Sequence, residues 1–337
     1  MTHRLRLLVL GGTSWLGGTV ASLALGRGHE VTCLARGESG TVPPGAHHVR
    51  ADRRQPDAYD AVSSDEWDAV VDVSWQPELV RSALAALARR TRHWVYVSSV
   101  SVYADHATPA ADESATLLPT WSGSGEAAGE EYGEAKVSCE TACAELLDPA
   151  ALLTARAGLI VGYGDRSDRF GYWPARFARA VDGERILAPP KGMPVQVIDV
   201  VDLAAWLVRA AEHRIWGTYD AVGPSLTFEE VADSCAAAVG VEPELVSPEE
   251  EWLRSAAVTP WAGPESLPLW LPLTSHAGMA ARAGKRARAA GLMPRPLEET
   301  VEDCLRWERE QGLDRGRRAG LTPEREADLL QRWTSGL

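Results

Sequence analysis

Tyr132-Gly133-Glu134-Ala135-Lys136 sets a phenol and an ammonium four residues apart, which on a helix places both on one face. Such a pair can move a proton. Tyrosine titrates near about 10 in isolation, and a neighbouring positive charge brings it toward neutral pH. The choice of lysine is informative, because the chain uses Lys only at 136, 191 and 285 and otherwise relies on arginine. A compact ammonium on a flexible stem can reach past a phenol to a bound ribose in a way that a planar guanidinium cannot. Ser98-Ser99 ends an apolar run, and a hydroxyl there can donate to a carbonyl oxygen while the tyrosine protonates it.

A second constellation lies near the N-terminus. Gly11-Gly12-Thr13-Ser14-Trp15-Leu16-Gly17-Gly18 follows an apolar run and precedes a helical pattern. Glycines at that junction permit a tight turn and close backbone approach of a pyrophosphate to a helix N-terminus. Gly11, Thr13, Ser14, Trp15, Leu16 and Gly17 are therefore candidate cofactor-binding residues. The next apolar run ends in Leu34-Ala35-Arg36-Gly37, with no acid before Glu38. A carboxylate there would accept the ribose hydroxyls of NAD, whereas a guanidinium can hold a 2′-phosphate through two hydrogen bonds. Arg36 favours NADP(H), with NAD(H) as the alternative. Asp52-Arg53, after the third run, are candidates for the adenine edge or for a plain turn.

These residues need elements to position them. Apolar runs at 5–10, 30–34, 47–51, 69–73 and 93–97 read as strands, and 16–25, 78–90 and 130–147 read as helices. Strands apolar on both faces and alternating with helices indicate a buried parallel sheet, a doubly wound α/β fold. A strand is expected at 152–161, with two more at 195–200 and 218–222 continuing the sheet. Residues 104–129 read as a long loop, a usual place for specificity. Residues 1–162, with the strands from about 195–222 added, are expected to form the nucleotide-binding core. Residues 163–194 and 223–337 are expected to form a smaller, interleaved substrate lobe.

Composition narrows the function. Of 337 residues, 45% are hydrophobic and 24% charged, as in a globular enzyme. A net charge of -13 is a poor match to nucleic acid or an anionic membrane. Five cysteines without a C-x-x-C pair suggest neither a disulfide framework nor a metal site. No secretory signal or spanning segment is expected, so the sequence reads as a cytoplasmic protein acting on a small molecule, as a monomer or homodimer.

Taken together, the chain resembles the extended or atypical short-chain dehydrogenase/reductase superfamily, the NAD-dependent epimerase/dehydratase family. The resemblance rests on LVLGGTSWLGG, VVDVSW, VYVSSVSVYAD, YGEAK, RAGLIVGYGD, VQVIDVVDLAAW and RARAAGLMPRPLEETVEDCLRW. It implies a Rossmann core and a small substrate lobe, and it places Ser99, Tyr132 and Lys136 on the family's catalytic triad. It also implies that Asp72, Val73, Ser74 and Val97 lie along the cofactor, with Trp75 near the nicotinamide. Trp121, Trp173 and Trp261 hint at a flat or hydrophobic substrate, or at the core of the lobe. Where dehydratases carry Asp-Glu after the catalytic hydroxyl, Val100-Ser101 stand here. Leu159 replaces the Asn of nucleotide-sugar epimerases, and Val195 their diphosphate-binding Arg. These departures argue against a nucleoside-diphosphate sugar. The expected activity is carbonyl reduction or its reverse. An epimerase passing through a transient ketone is the second reading, and a non-catalytic nucleotide-binding regulator the third.

Overall fold

The computed structural model describes residues 4–336. Its first half alternates strand and helix: β1 (Arg6–Leu10), α1 (Trp15–Gly26), β2 (Glu30–Ala35), β3 (His47–Arg50), β4 (Ala69–Asp72), α2 (Pro77–Leu87), β5 (Trp94–Ser99), α3 (Tyr132–Leu146) and β6 (Leu152–Ala157). There follow β7 (Leu159–Val161), α4 (Tyr172–Phe177), β8 (Arg185–Leu187), β9 (Pro194–Asp199), α5 (Val200–His213) and β10 (Gly217–Ala221). Seven strands form one parallel sheet in the order β10-β6-β5-β4-β1-β2-β3. The order reverses at β1, where the crevice between β1 and β4 is the place at which open α/β sheets receive ligands.

Both faces of the sheet are covered. Val20, Ala21 and Ala24 of α1 pack with Leu203, Trp206 and Leu207 of α5 over one face. Val80, Ala83 and Leu84 of α2 pack with Cys139, Ala142 and Cys143 of α3 over the other. This is why strands such as Leu7-Leu8-Val9-Leu10 are apolar throughout instead of alternating.

The run at 152–161 is two strands, not one. Gly158 separates them, and a Cβ there would lie 2.9 Å from Val222 Cγ1. Beyond Gly158 the chain leaves the main sheet, and β7 pairs with β9 instead. A further strand, Ser225–Thr227, completes this second sheet of three strands. Of the two later strands expected to continue the main sheet, β10 lies at its edge beside β6, while β9 belongs to the second sheet. A second hydrophobic core surrounds Phe170, Trp173, Phe177, Phe228, Leu253 and Trp270. Among the described residues no helix is long and apolar enough to cross a membrane.

Candidate active site

The turn after β1 is built by close backbone packing. Gly11 has φ 92°, a region open to glycine, and its N–H donates to Leu34 O at 3.0 Å. A Cβ on Gly17 would lie 2.3 Å from Gly11 O. Ser14 caps α1: its Oγ accepts from Gly17 N at 3.2 Å and donates to Gly11 O at 2.7 Å. The turn thus presents the N-terminus of α1, with its positive dipole end, at the sheet's switch point. Thr13 and Ser14 line two adjoining cavities, one toward β2 and β3, the other toward β5 and α3. An extended dinucleotide fits such a groove, its phosphates at the turn. Leu16 differs from its neighbours because its side chain is in the core, leaving only its backbone near the turn.

The first cavity is lined by Arg36, Glu38, Asp52, Arg54 and Ser74, among others. Arg36 is exposed and pairs with Glu38 at 3.2 Å. Asp52 accepts from Arg54 Nε at 2.9 Å and Nη2 at 2.6 Å, and these bonds hold its carboxyl down to about 2. Arg53 is buried and spends every donor internally: on both oxygens of Asp72 at 3.1 Å, on Tyr59 Oη at 2.8 Å, on Leu79 O at 2.6 Å and on Ser74 Oγ. Arg53 lines this cavity too, but no N–H remains to donate to an adenine, so its observed role is to tie the turn after β3 to β4. Asp72, expected along the cofactor, is fully buried beneath this cavity and does not line it; both its oxygens are occupied, by Arg53 and by the backbone N–H of Ser74. Val73 packs against the core beside Gly11, with its Cγ2 2.8 Å from where a Gly11 Cβ would stand.

At the other end, α3 begins at Tyr132, directly after a single 3-10 turn (Gly129–Glu131). Tyr132 and Ser99 both line the second cavity. The Tyr132 ring packs against Trp75, with centroids 5.4 Å apart. Lys136, one helical turn on, is buried, and its Nζ lies 5.9 Å from the Tyr132 ring centroid. That ammonium donates to Ser74 O at 2.9 Å and Val97 O at 2.5 Å. Two of its three hydrogens therefore bind the backbone at the carboxyl ends of β4 and β5. Ser99 Oγ accepts from Ser101 N and donates to Ser101 Oγ, both at 3.1 Å. Ser98, by contrast, is buried and donates to Glu140 Oε1 at 2.5 Å, where Arg156 also binds.

Two tryptophans expected at the substrate lie elsewhere. Trp121 is pinned against α3, its backbone N–H donating to Ser138 Oγ at 2.8 Å, and it does not line the cleft. Trp173 is wholly buried in the second core, with its Nε1 donating to Pro268 O at 3.0 Å. Trp261 does line the cleft. The cleft measures about 1140 Å³, and most of its far wall comes from residues that sequence reasoning missed: Tyr163, Arg166, Arg169, Trp307 and Arg318. Trp15 Nε1 donates to Tyr163 O at 2.8 Å and ties the glycine turn to this wall. Of the loop at 104–129, only Gly129 reaches the cleft.

Comparison with known proteins agrees with the fold. The sequence matches the family model of the NAD dependent epimerase/dehydratase family over residues 7–219, and the chain belongs to that family. It is thus an enzyme of the short-chain dehydrogenase/reductase superfamily. No curated protein matches the sequence. Among solved structures, a protein of Burkholderia cenocepacia J2315 provisionally described as an epimerase is 21% identical, with TM-score 0.68, over 92% of this chain and 100% of that one. Bordetella bronchiseptica WbmH, in complex with NAD+, is 18% identical with TM-score 0.63, over 91% and 99%. The UDP-glucose 4-epimerase of Thermus thermophilus, in complex with NAD, is 18% identical with TM-score 0.62, over 90% and 99%. At these identities the likeness establishes a shared fold.

Proposed function

We propose that the chain is a nicotinamide-dependent carbonyl reductase or dehydrogenase, with Ser99, Tyr132 and Lys136 as its reacting set. The observation that carries this reading is the buried Lys136 ammonium 5.9 Å from the ring of Tyr132, which shares a cleft with Ser99. A nicotinamide dinucleotide along the groove would supply or accept hydride. Tyr132 gives or takes the proton at its hydroxyl, and Ser99 Oγ donates to the carbonyl oxygen. Lys136 places a positive charge beside the phenol, and its remaining hydrogen can reach a ribose hydroxyl. Gly11, Thr13, Ser14, Trp15 and Gly17 would hold the phosphates, and Val73, Ser74 and Val97 the path to the nicotinamide. Trp75, packed on Tyr132, would flank the nicotinamide.

NADP(H) is the favoured cofactor. Arg36 and Arg54 both line the adenosine end, and the acids Glu38 and Asp52 are already paired with them. Val195 is buried in the second core and Leu159 lines the cleft, so neither offers polar groups to a nucleoside diphosphate. The site of action is read as the cytoplasm and the partner as a small molecule.

An epimerase reading is favoured by the descriptions of the similar structures and by a cleft roomy enough for a ketone to turn over. One experiment separates the two: a panel of carbonyl compounds is offered with NADPH while the nicotinamide absorbance is followed. Net oxidation of NADPH by wild type, reduced about 10²–10⁴-fold in Tyr132→Phe, supports the reductase. Undiminished turnover in Tyr132→Phe would remove it.

A further inference from the structure

The far wall of the cleft carries an electrostatic feature that proton and hydride transfer do not use. Three arginines line it, Arg166, Arg169 and Arg318, against a single carboxylate, Asp165, in a chain of net charge -13. Asp165 is occupied: it accepts from Ser167 N at 2.8 Å and from Ser167 Oγ at 3.0 Å. Ser167 Oγ in turn accepts from Arg169 Nε at 3.2 Å. The Arg169 guanidinium lies 5.0 Å from the ring centroid of Trp261. Among the described residues its two terminal nitrogens have no hydrogen-bond or ion-pair partner. One edge of the guanidinium is thus fixed by Ser167, one face by Trp261, and the outer edge is left open in the cleft.

The backbone on both sides of this arginine is unusual. Asp168 and Trp261 both occupy the left-handed region, at φ 62° and 72°, where only glycine is at ease. Asp168 is held there by Arg315 and by the N–H of Arg318 at 2.8 Å. Burial lowers the Arg169 pKa from its ordinary value, against the opposing pull of Asp165. A partly desolvated guanidinium with an open two-donor edge is complementary to a planar or tetrahedral oxyanion.

We propose that Arg169, backed by Trp261, binds an anionic group, a carboxylate or a phosphate, on a substrate whose reacting carbonyl lies at Tyr132 and Ser99. This rests on the reading of those two residues given above. It defines the substrate as a carbonyl compound, or the matching alcohol, that carries a negative charge away from the reacting carbon. Arg166 and Arg318, at the rim, draw that charge inward.

The test is calorimetric titration of the whole protein, with and without NADP+, using benzoate, phenyl phosphate and the neutral methyl benzoate. We expect at least one anion to bind at least tenfold more tightly than the ester, and its identity distinguishes carboxylate from phosphate. Arg169→Gln should lose that advantage, and Arg169→Lys should keep part of it. The wild-type comparison of anion and ester stands even if the variant folds poorly. Anions that bind no better than the ester, or equally well to a folded Arg169→Gln, overturn the proposal. So does an equal loss of NADP+ affinity in that variant, which would assign Arg169 to the cofactor's phosphates. Failure of wild type to bind either NADP+ or NAD+ would instead sink the reductase reading, while the anion arm still reports on Arg169.

Discussion

Ser98 and Ser99, neighbours at the end of β5, serve opposite sides of the structure: Ser98 is buried on Glu140, and Ser99 opens into the cleft with Tyr132. Alternation along a strand makes this separation unavoidable. Ser98 belongs to a buried network in which Arg156 bridges Glu140 and Tyr103, and Tyr103 donates to Asp220 at 2.6 Å. Ser99→Ala should lower kcat about 10²–10³-fold with the melting temperature little changed. Ser98→Ala should instead lower stability by about 1–3 kcal/mol and leave kcat nearly intact. Steady-state kinetics and thermal melts on the two variants check this, and the reverse pattern would exchange their roles.

Asp72→Asn tests the structural assignment of the Arg53 pair. Removing one partner of a buried ion pair strands the other charge, at a cost of about 3–5 kcal/mol. Chemical denaturation should therefore show a large loss of stability. A variant that keeps wild-type stability but loses only cofactor affinity would return Asp72 to the groove.

The glycine turn gives a contrast between two glycines of α1. Gly17→Ala puts a methyl 2.3 Å from a backbone oxygen and should disrupt the turn, weakening cofactor binding and stability together. Gly26→Ala meets nothing within 4 Å and should stabilise by up to roughly 1 kcal/mol. Melts and cofactor titrations on both variants decide it.

His93 makes stability depend on pH. It is fully buried, and burial, with Arg214 nearby, pushes it down to about 4. The unfolded chain, with an ordinary imidazole near about 6.5, takes up its proton first as pH falls. The contribution of neutral His93 is thus complete above about 6.5 and is lost as pH falls from there toward 4. Over that window stability should fall by on the order of 3 kcal/mol from this group alone. His93→Phe should flatten that part of the profile, measured by denaturation at a series of pH values. An unchanged slope would show that His93 is not responsible.

How much of this was legible in the sequence follows from which features are local. The strand, glycine turn and helix at residues 6–26 are contiguous, and each carries its own signal: an apolar run, positive-φ glycine and a serine cap. Tyr132 and Lys136 are likewise a single-helix pattern. Arg53 misleads because its partner Asp72 ends β4, with β1 and β2 lying between β4 and β3 in the sheet, and no local signal marks an arginine as saturated. Trp121 and Trp173 resemble ligand platforms, although aromatic residues serve cores equally well. Arg169, Trp307 and Arg318 escape sequence reasoning because the wall they form is assembled from segments far apart in the chain. The DRSDR stretch at 165–169, with alternating charges on a Gly-flanked turn, is the one signal that could draw attention to it. The split at Gly158 is visible only as a glycine inside an apolar run, a common mark of a strand that bends away.

On the proposed function, the groove from Arg36 through the glycine turn to Lys136 holds a nicotinamide dinucleotide with a 2′-phosphate. Titration of cofactor-free wild type and Arg36→Ala with NADPH and NADH, followed by tryptophan fluorescence, tests it most directly. Both should bind saturably, NADPH more tightly, with the preference lost in Arg36→Ala. Absence of binding by either dinucleotide, in protein shown to be folded, would contradict it.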